Sequence, residues 1–225
     1  NLTLPVLWND PIFLPFDYGY FAFIYNSDKI KIPPASFEAL ALLDDNFKII
    51  IQDPRSSTPG LGLLLWIKHA YGNKAFEVWR RLSPKILTVT KGWSEAYGLF
   101  LKGEADMVLS YTTSPAYHLI AEKESKYKAA AFSEGHYMQI EVGAIVKSSK
   151  QKALAKEFMT FVLGKNFQRV IPTTNWMYPA AISGGDLPKG FETLHVPEKS
   201  LIISGAKVEK NRKSWIAEWL KALQQ

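Results

Sequence analysis

Cysteine is absent from the 225 residues, which excludes disulfides, thiolate metal sites and a cysteine nucleophile within them. The absence says little about compartment, because many exported bacterial proteins dispense with cysteine. Long apolar runs are missing too. The longest, residues 19–25 and 61–67, reach about a third of the roughly 20 residues a membrane-spanning helix needs, so no segment is expected to cross a bilayer. The first basic residue is Lys29, and the start shows no charged leader or small-residue cleavage pattern, so no signal peptide is expected within these residues. Histidine is sparse. His69, His118, His136 and His195 form no H-E-x-x-H or other paired ligand spacing, so no metal site is expected.

What is present suits a packed globular chain. Hydrophobic residues make up 47% and charged ones 21%, enough apolar material for a core and too little charge excess for disorder. The length allows one large domain or two small ones. Net charge is +6, which invites a nucleic-acid reading. The lysines, however, concentrate in residues 147–156 and 207–213. Leu154, Phe158, Phe161 and Val162, and then Trp215, Ile216, Trp219 and Leu220, recur at helical spacing beside them. Two amphipathic helices with solvated faces account for both runs, and no nucleic-acid partner is expected.

The middle of the chain repeats one pattern three times: a β-rich run, a turn rich in Ser, Thr and Pro, and a helix. The first copy joins a strand over 48–53 to a helix opened by Thr58 and Pro59 and stopped by Gly72. The second joins 86–90 to a helix over 93–101. The third joins 106–111 to a helix begun by Pro115. Alternation of this kind predicts an α/β fold with a largely parallel sheet. Ligands of such sheets sit beyond the carboxyl ends of the strands. Helix starts there offer free N–H groups and partial positive charge, so Ser57, Thr112, Thr113 and Ser114 suit phosphate or carboxylate oxygens.

Two further strands, over 19–25 and 136–142, bracket this block. Beyond them the chain reads as helical over 151–163, around 167–171 and over 214–220. A loop-rich stretch that includes Gly184 and Gly185 lies between. Helices without a sheet of their own suggest that the chain enters and leaves the βα block from a neighbouring unit.

The strings PFDYGYFAFIY, QDPRSSTPGLGLLLW, TVTKGWSEAYGLFLKGEADMVLSYTTSPAYH, FSEGHY and IPTTNWMYP run almost end to end. With them the chain resembles the periplasmic thiamine-binding proteins of bacterial ABC importers, within the solute-binding protein family. The resemblance covers nearly the whole sequence. It implies a two-lobed periplasmic-binding-protein-like fold of type II, with one complete lobe plus the C-terminal helical part of the other. Residues 1–19 would end lobe 1 and lead into the hinge, 20–140 would form lobe 2, the βα domain, and 141–225 would return through the hinge into lobe 1. The family has about a hundred further residues upstream, the size of a small domain, which would supply other ligand contacts.

The resemblance further implies capture of thiamine, thiamine monophosphate or thiamine diphosphate as transported ligand, with no cofactor and no catalytic residue. The partner would be an ABC permease at the inner membrane, the compartment the periplasm, and the full-length protein a monomer. Ser57, Trp93, Tyr111, Thr112, Thr113, Ser114 and Pro115 fall on ligand-contact positions, with Tyr117 and Trp176 as further aromatic wall. The chemistry agrees: a thiazolium cation asks for aromatic faces and a phosphate for helix-start N–H groups.

Other readings stay open at this level. Ser57 and Ser114 suit plain helix caps, and Tyr117 suits a core position. Asp17, Tyr18 and Tyr20 suit hinge packing, and Trp66, Trp79, Trp215 and Trp219 suit a core. Among enzymes, Gly60-Leu61-Gly62 opens a helix as a dinucleotide fingerprint would, but Leu65 stands where the third glycine belongs. Two S-x-x-K matches lack their companion motifs. A thiamine-degrading transferase of the same fold would need a thiol from upstream. A ferric-ion-binding relative would need neighbouring tyrosines, and Tyr111 and Tyr117 stand apart.

Overall fold

The computed structural model describes residues 2–182 and 187–224; Gly184 and Gly185 lie outside the described residues. In chain order the elements are β1 (Leu14–Asn26), α1 (Phe37–Leu42), β2 (Ile49–Gln52), α2 (Thr58–Tyr71), α3 (Ala75–Leu82), β3 (Ile86–Thr90), α4 (Trp93–Leu101), β4 (Met107–Tyr111) and α5 (Ser114–Tyr117). They continue with β5 (Tyr127–Ala129), β6 (His136–Gly143), α6 (Lys152–Val162), α7 (Lys165–Gln168), α8 (Ile171–Thr174), β7 (Tyr178–Pro179), β8 (Ser200–Leu201) and α9 (Gly205–Leu223). The three expected βα repeats are β2–α2, β3–α4 and β4–α5.

The strand order is β3-β2-β4-β1-β6-β8, with β5 and β7 also paired to β1. Parallel pairing holds for β2 with β3 and β4, and for β6 with β8. The sheet is therefore mixed rather than largely parallel, because β1 runs antiparallel to all four of its partners. Its 13 residues are long enough to serve two sets of partners. Leu14 to Tyr20 pair with β6 and, in part, β7, while Phe21 to Asn26 pair with β4 and β5. One continuous strand thus joins the βα block to the segment that carries α6, α7 and α8.

Helix α2 is the central post of the core. Leu63, Leu64, Leu65, Trp66 and Ile67 are all buried, so the helix is apolar around its whole circumference, as an interior helix must be. Its two early glycines allow this depth. A Cβ on Gly62 would lie 1.9 Å from the Phe21 ring, and one on Gly60 would lie 2.3 Å from the Gln52 carbonyl oxygen. The motif that resembled part of a dinucleotide fingerprint is a close-packing device between α2, β1 and the end of β2.

The terminal helix departs from the grouping expected for residues 141–225. α9 packs on α3 and α2: Trp219 meets Trp79 edge to face at 6.3 Å, and Lys68 pairs with Glu218 at 2.9 Å. β8, just before it, adds to β6. Burial of Trp219 and Ala222 in the βα core removes more apolar surface from water than α9 could hide alone, which places it there. Trp66, Trp79 and Trp219 are buried as core residues. α6 behaves differently, since Leu154, Phe158 and Phe161 on its apolar side are exposed among the described residues. No helix is long and apolar enough to cross a membrane.

Candidate functional site

The parallel strands β2, β3 and β4 end together, at Gln52, Thr90 and Tyr111, and the helices that follow them begin around one cleft of about 750 Å³. Ser57 occupies the N-cap position of α2 with extended backbone (φ −129°, ψ 135°), yet its hydroxyl makes no capping bond. Pro59 supplies the first-turn conformation instead, which leaves the Ser57 hydroxyl at the cleft wall. The neighbouring Ser56 hydroxyl donates to the Lys91 carbonyl at 2.8 Å and ties the first repeat's turn to the second's.

Trp93 opens α4 and is held edge-on by the third repeat. Its indole N–H donates to Ser110 Oγ at 2.7 Å, Ser110 Oγ and Ser114 Oγ lie 2.7 Å apart, and Ser114 Oγ accepts the Tyr111 N–H at 3.2 Å. Four donors thus share three bonds, so one serine hydroxyl hydrogen is left to point elsewhere. Behind Trp93, Tyr97 stacks at 5.0 Å and 24°. The Tyr97 hydroxyl bonds His118 Nε2 at 2.9 Å, and His118 Nδ1 bonds Glu122 at 2.6 Å. The indole face is therefore backed by a fixed ladder while Trp93 itself stays 38% exposed.

Across the cleft, Tyr117 and Trp176 meet edge to face at 5.3 Å and 83°. Trp176 has φ 57°, a left-handed conformation that costs a bulky residue of order 1 kcal/mol or more. Its N–H bond to the Ile171 carbonyl at 3.1 Å closes the end of α8 and imposes this turn. Asn175, Trp176 and Met177 all reach the cleft as a result.

Of the nine residues expected at the site, Ser57, Trp93, Tyr111, Thr113, Ser114, Tyr117 and Trp176 line the cleft. Thr112 and Pro115 do not. Thr112 is fully buried, with its N–H given to the Tyr20 carbonyl at 2.8 Å, so it anchors the β4 end to β1. Pro115 faces a separate cavity of about 570 Å³ with Tyr25 and Leu119. The cause is helical geometry: successive residues of a tight turn point in different directions, and only Thr113, Ser114 and Tyr117 point inward.

Sequence reasoning missed the polar floor. Tyr111 donates its hydroxyl to Gln139 Oε1 at 2.7 Å, and Gln139 Nε2 donates to Glu141 at 3.2 Å. Asn175 Nδ2 donates to Asp17 at 2.8 Å and reaches Glu141 at 3.5 Å. Burial pushes the Asp17 carboxyl up to about 7, with the Glu141 charge adding and the Asn175 hydrogen bond opposing. Burial also raises Glu141, and burial, with Glu141 beside it, raises the Tyr111 phenol. The available signal was the i, i+2 spacing of Gln139 and Glu141, which puts both on one face of β6. Among the described residues no group of three or more His, Asp or Glu could hold a metal ion.

Comparison with known proteins agrees with this architecture. Residues 2–168 match the bacterial extracellular solute-binding protein family. The thiamine-binding periplasmic protein of Escherichia coli (strain K12) is 54% identical over 222 residues, covering 99% of this chain and 67% of its own length. The solved structure of a periplasmic thiamin binding protein superposes with a TM-score of 0.95 at 54% identity, covering 100% of this chain and 70% of that one. A ferric binding protein from Campylobacter jejuni shares the fold at a TM-score of 0.77 and 20% identity, covering 98% of this chain and 77% of that one. The chain spans about two thirds of the curated relatives' length. On the family match and the 54% identity, it belongs to the bacterial extracellular solute-binding proteins, in the branch of the thiamine-binding periplasmic proteins.

Proposed function

We propose that this protein captures thiamine and its phosphates in the periplasm and hands them, unaltered, to an ABC importer permease at the inner membrane. The observation that carries the reading is the pairing of aromatic walls with an uncapped helix start in one cleft of about 750 Å³. Trp93, Tyr117 and Trp176 offer π faces to a thiazolium cation, a contact worth about 0.5 to 2 kcal/mol. The first turn of α2, with the Ser57 hydroxyl uncommitted to capping, suits the oxygens of a phosphorylated ligand. The 54% identity to a protein named for thiamine binding supports the same ligand.

Binding without chemistry is supported by the relatives, which are named as binding proteins, and by the positioning groups that line the cleft. Strand β1, bonded by its two halves to different partners, is the natural hinge for closing the cleft on a ligand. The full-length protein acts as a monomer in this scheme. Calorimetry of the full-length protein with thiamine, thiamine monophosphate and thiamine diphosphate tests it. One-to-one binding with thiamine recovered intact supports the proposal; no binding of any of the three, or turnover of thiamine, overturns it.

A further inference from the structure

We infer that Glu141, backed by Asp17, is the counter-charge for the ligand's cation, and that capture of the cation expels a proton which the empty carboxylate pair holds. This rests on the thiamine reading and adds a charge-selecting residue and a proton linkage to it.

Asp17 and Glu141 are direct cross-strand neighbours in the antiparallel β1–β6 pair, a position in which side chains sit about 4.5 to 5.5 Å apart and like charges repel. Donors are too few for two ionised carboxylates. Asn175 Nδ2 serves both, at 2.8 Å and 3.5 Å, and Gln139 Nε2 adds one bond to Glu141. Gln139 Oε1 is already occupied by the Tyr111 hydroxyl. Asp17 is 0% exposed, and its Oδ1 has no hydrogen-bond partner among the described residues. A buried carboxylate pair short of donors keeps a proton.

Among the described residues no cation pairs with Asp17 or Glu141. The pair is faced by the Tyr111 phenol from β4, by Gln139 of β6 and by Asn175 just after α8. Among the described residues that line the cleft none is Lys, Arg or His. Glu141 reaches the cleft and Asp17 lies behind it. A cation seated against Glu141 favours the ionised form of the pair, and the proton leaves to solvent with no other bond made or broken. The thiazolium charge is permanent, so the pH dependence of its capture belongs to the protein.

The test is calorimetry of the full-length protein with thiamine between about pH 6 and 8.5, in buffers of different ionisation enthalpy. The expected result is an observed enthalpy that tracks the buffer, reporting proton release, with affinity falling toward about tenfold per pH unit below pH 7. Glu141→Gln should lose about tenfold or more of thiamine affinity while keeping affinity for thiochrome, the uncharged tricyclic oxidation product. Asp17→Asn should bind thiamine without releasing a proton. Buffer-independent enthalpy with a flat pH profile overturns the inference and leaves the thiamine reading standing. Equal losses for thiamine and thiochrome in Glu141→Gln reduce Glu141 to packing and overturn it as well. Failure of the wild type to bind either molecule overturns the underlying reading and the inference together.

Discussion

Trp93 gives its indole N–H to Ser110 Oγ at 2.7 Å, so the ring that walls the cleft is fixed by a serine 17 residues away on β4, two strands over from the β3 that leads into it. The bond spends the only polar atom of the indole on orientation and leaves the π face for a ligand.

Trp93→Ala should therefore weaken thiamine binding several-fold to tens-fold, the range of a lost cation–π contact. Trp93→Phe keeps a ring and loses the Ser110 bond, so it should fall between wild type and alanine. Fluorescence or calorimetric titration reads both. Unchanged affinity in Trp93→Ala would remove the residue from the site.

Ser57→Ala should leave stability within about 0.5 kcal/mol, since no capping bond is lost, whereas removing a true cap costs about 0.5 to 2 kcal/mol. Affinity for thiamine monophosphate should drop more than affinity for thiamine. Paired denaturation and binding measurements separate the two; a stability loss near 1 kcal/mol with equal binding losses would return Ser57 to a capping role.

Gly62→Ala forces a methyl group to within 1.9 Å of the Phe21 ring. Overpacking of this kind costs about 1 to 3 kcal/mol, and denaturant unfolding should show it. A neutral result would mean that α2 can shift off β1.

The ligand-free protein should lose stability as pH rises from about 4 to 7 through Asp17. Burial lifts this carboxyl from 3.8 to about 7 in the folded chain, so across that window the folded state holds a proton that the unfolded state has released. The contribution is complete below the unfolded value and gone above the folded one. Asp17→Asn keeps an acceptor for Asn175 and removes the charge, so it should flatten the slope and raise the melting temperature at pH 8 relative to wild type. Parallel pH profiles for the two proteins would contradict the assignment.

Trp176→Gly should relieve the left-handed backbone at φ 57° while deleting the ring that meets Tyr117. Stability should fall, because the ring's packing on Tyr178, Phe191 and Leu194 is lost and glycine adds unfolded-chain entropy. The relieved strain offsets that cost only in part, and thiamine affinity should fall. Unchanged affinity would assign the strained turn to chain reversal alone.

Much of the βα block was legible because its signals are local. Pro59 at a helix start, Gly72 at its end and the β-branched run at 49–51 act through neighbouring backbone, and β3 and α4 fall on the residues expected. The aromatic walls were legible through the resemblance, which placed Trp93, Tyr117 and Trp176 together. That Thr112 and Pro115 do not line the cleft with their neighbours was not legible, because the directions of consecutive side chains in a tight turn depend on torsions that residue type does not reveal. The packing of α9 on α3 and α2 was not legible, because an amphipathic pattern states that a face is buried but not against what.

By itself, the amino-acid order determined which short segments become strands and helices, that these 225 residues supply no thiol, and to which family the chain is related. These follow from residue identity and spacing over a few positions. Only the tertiary structure decided that β1 is shared between two sets of strands, that Gly62 must admit the Phe21 ring, and that Asp17 confronts Glu141 over a single amide. Those outcomes depend on the register between segments far apart in the chain, and a one-residue slip in that register would turn each of these side chains to the opposite face.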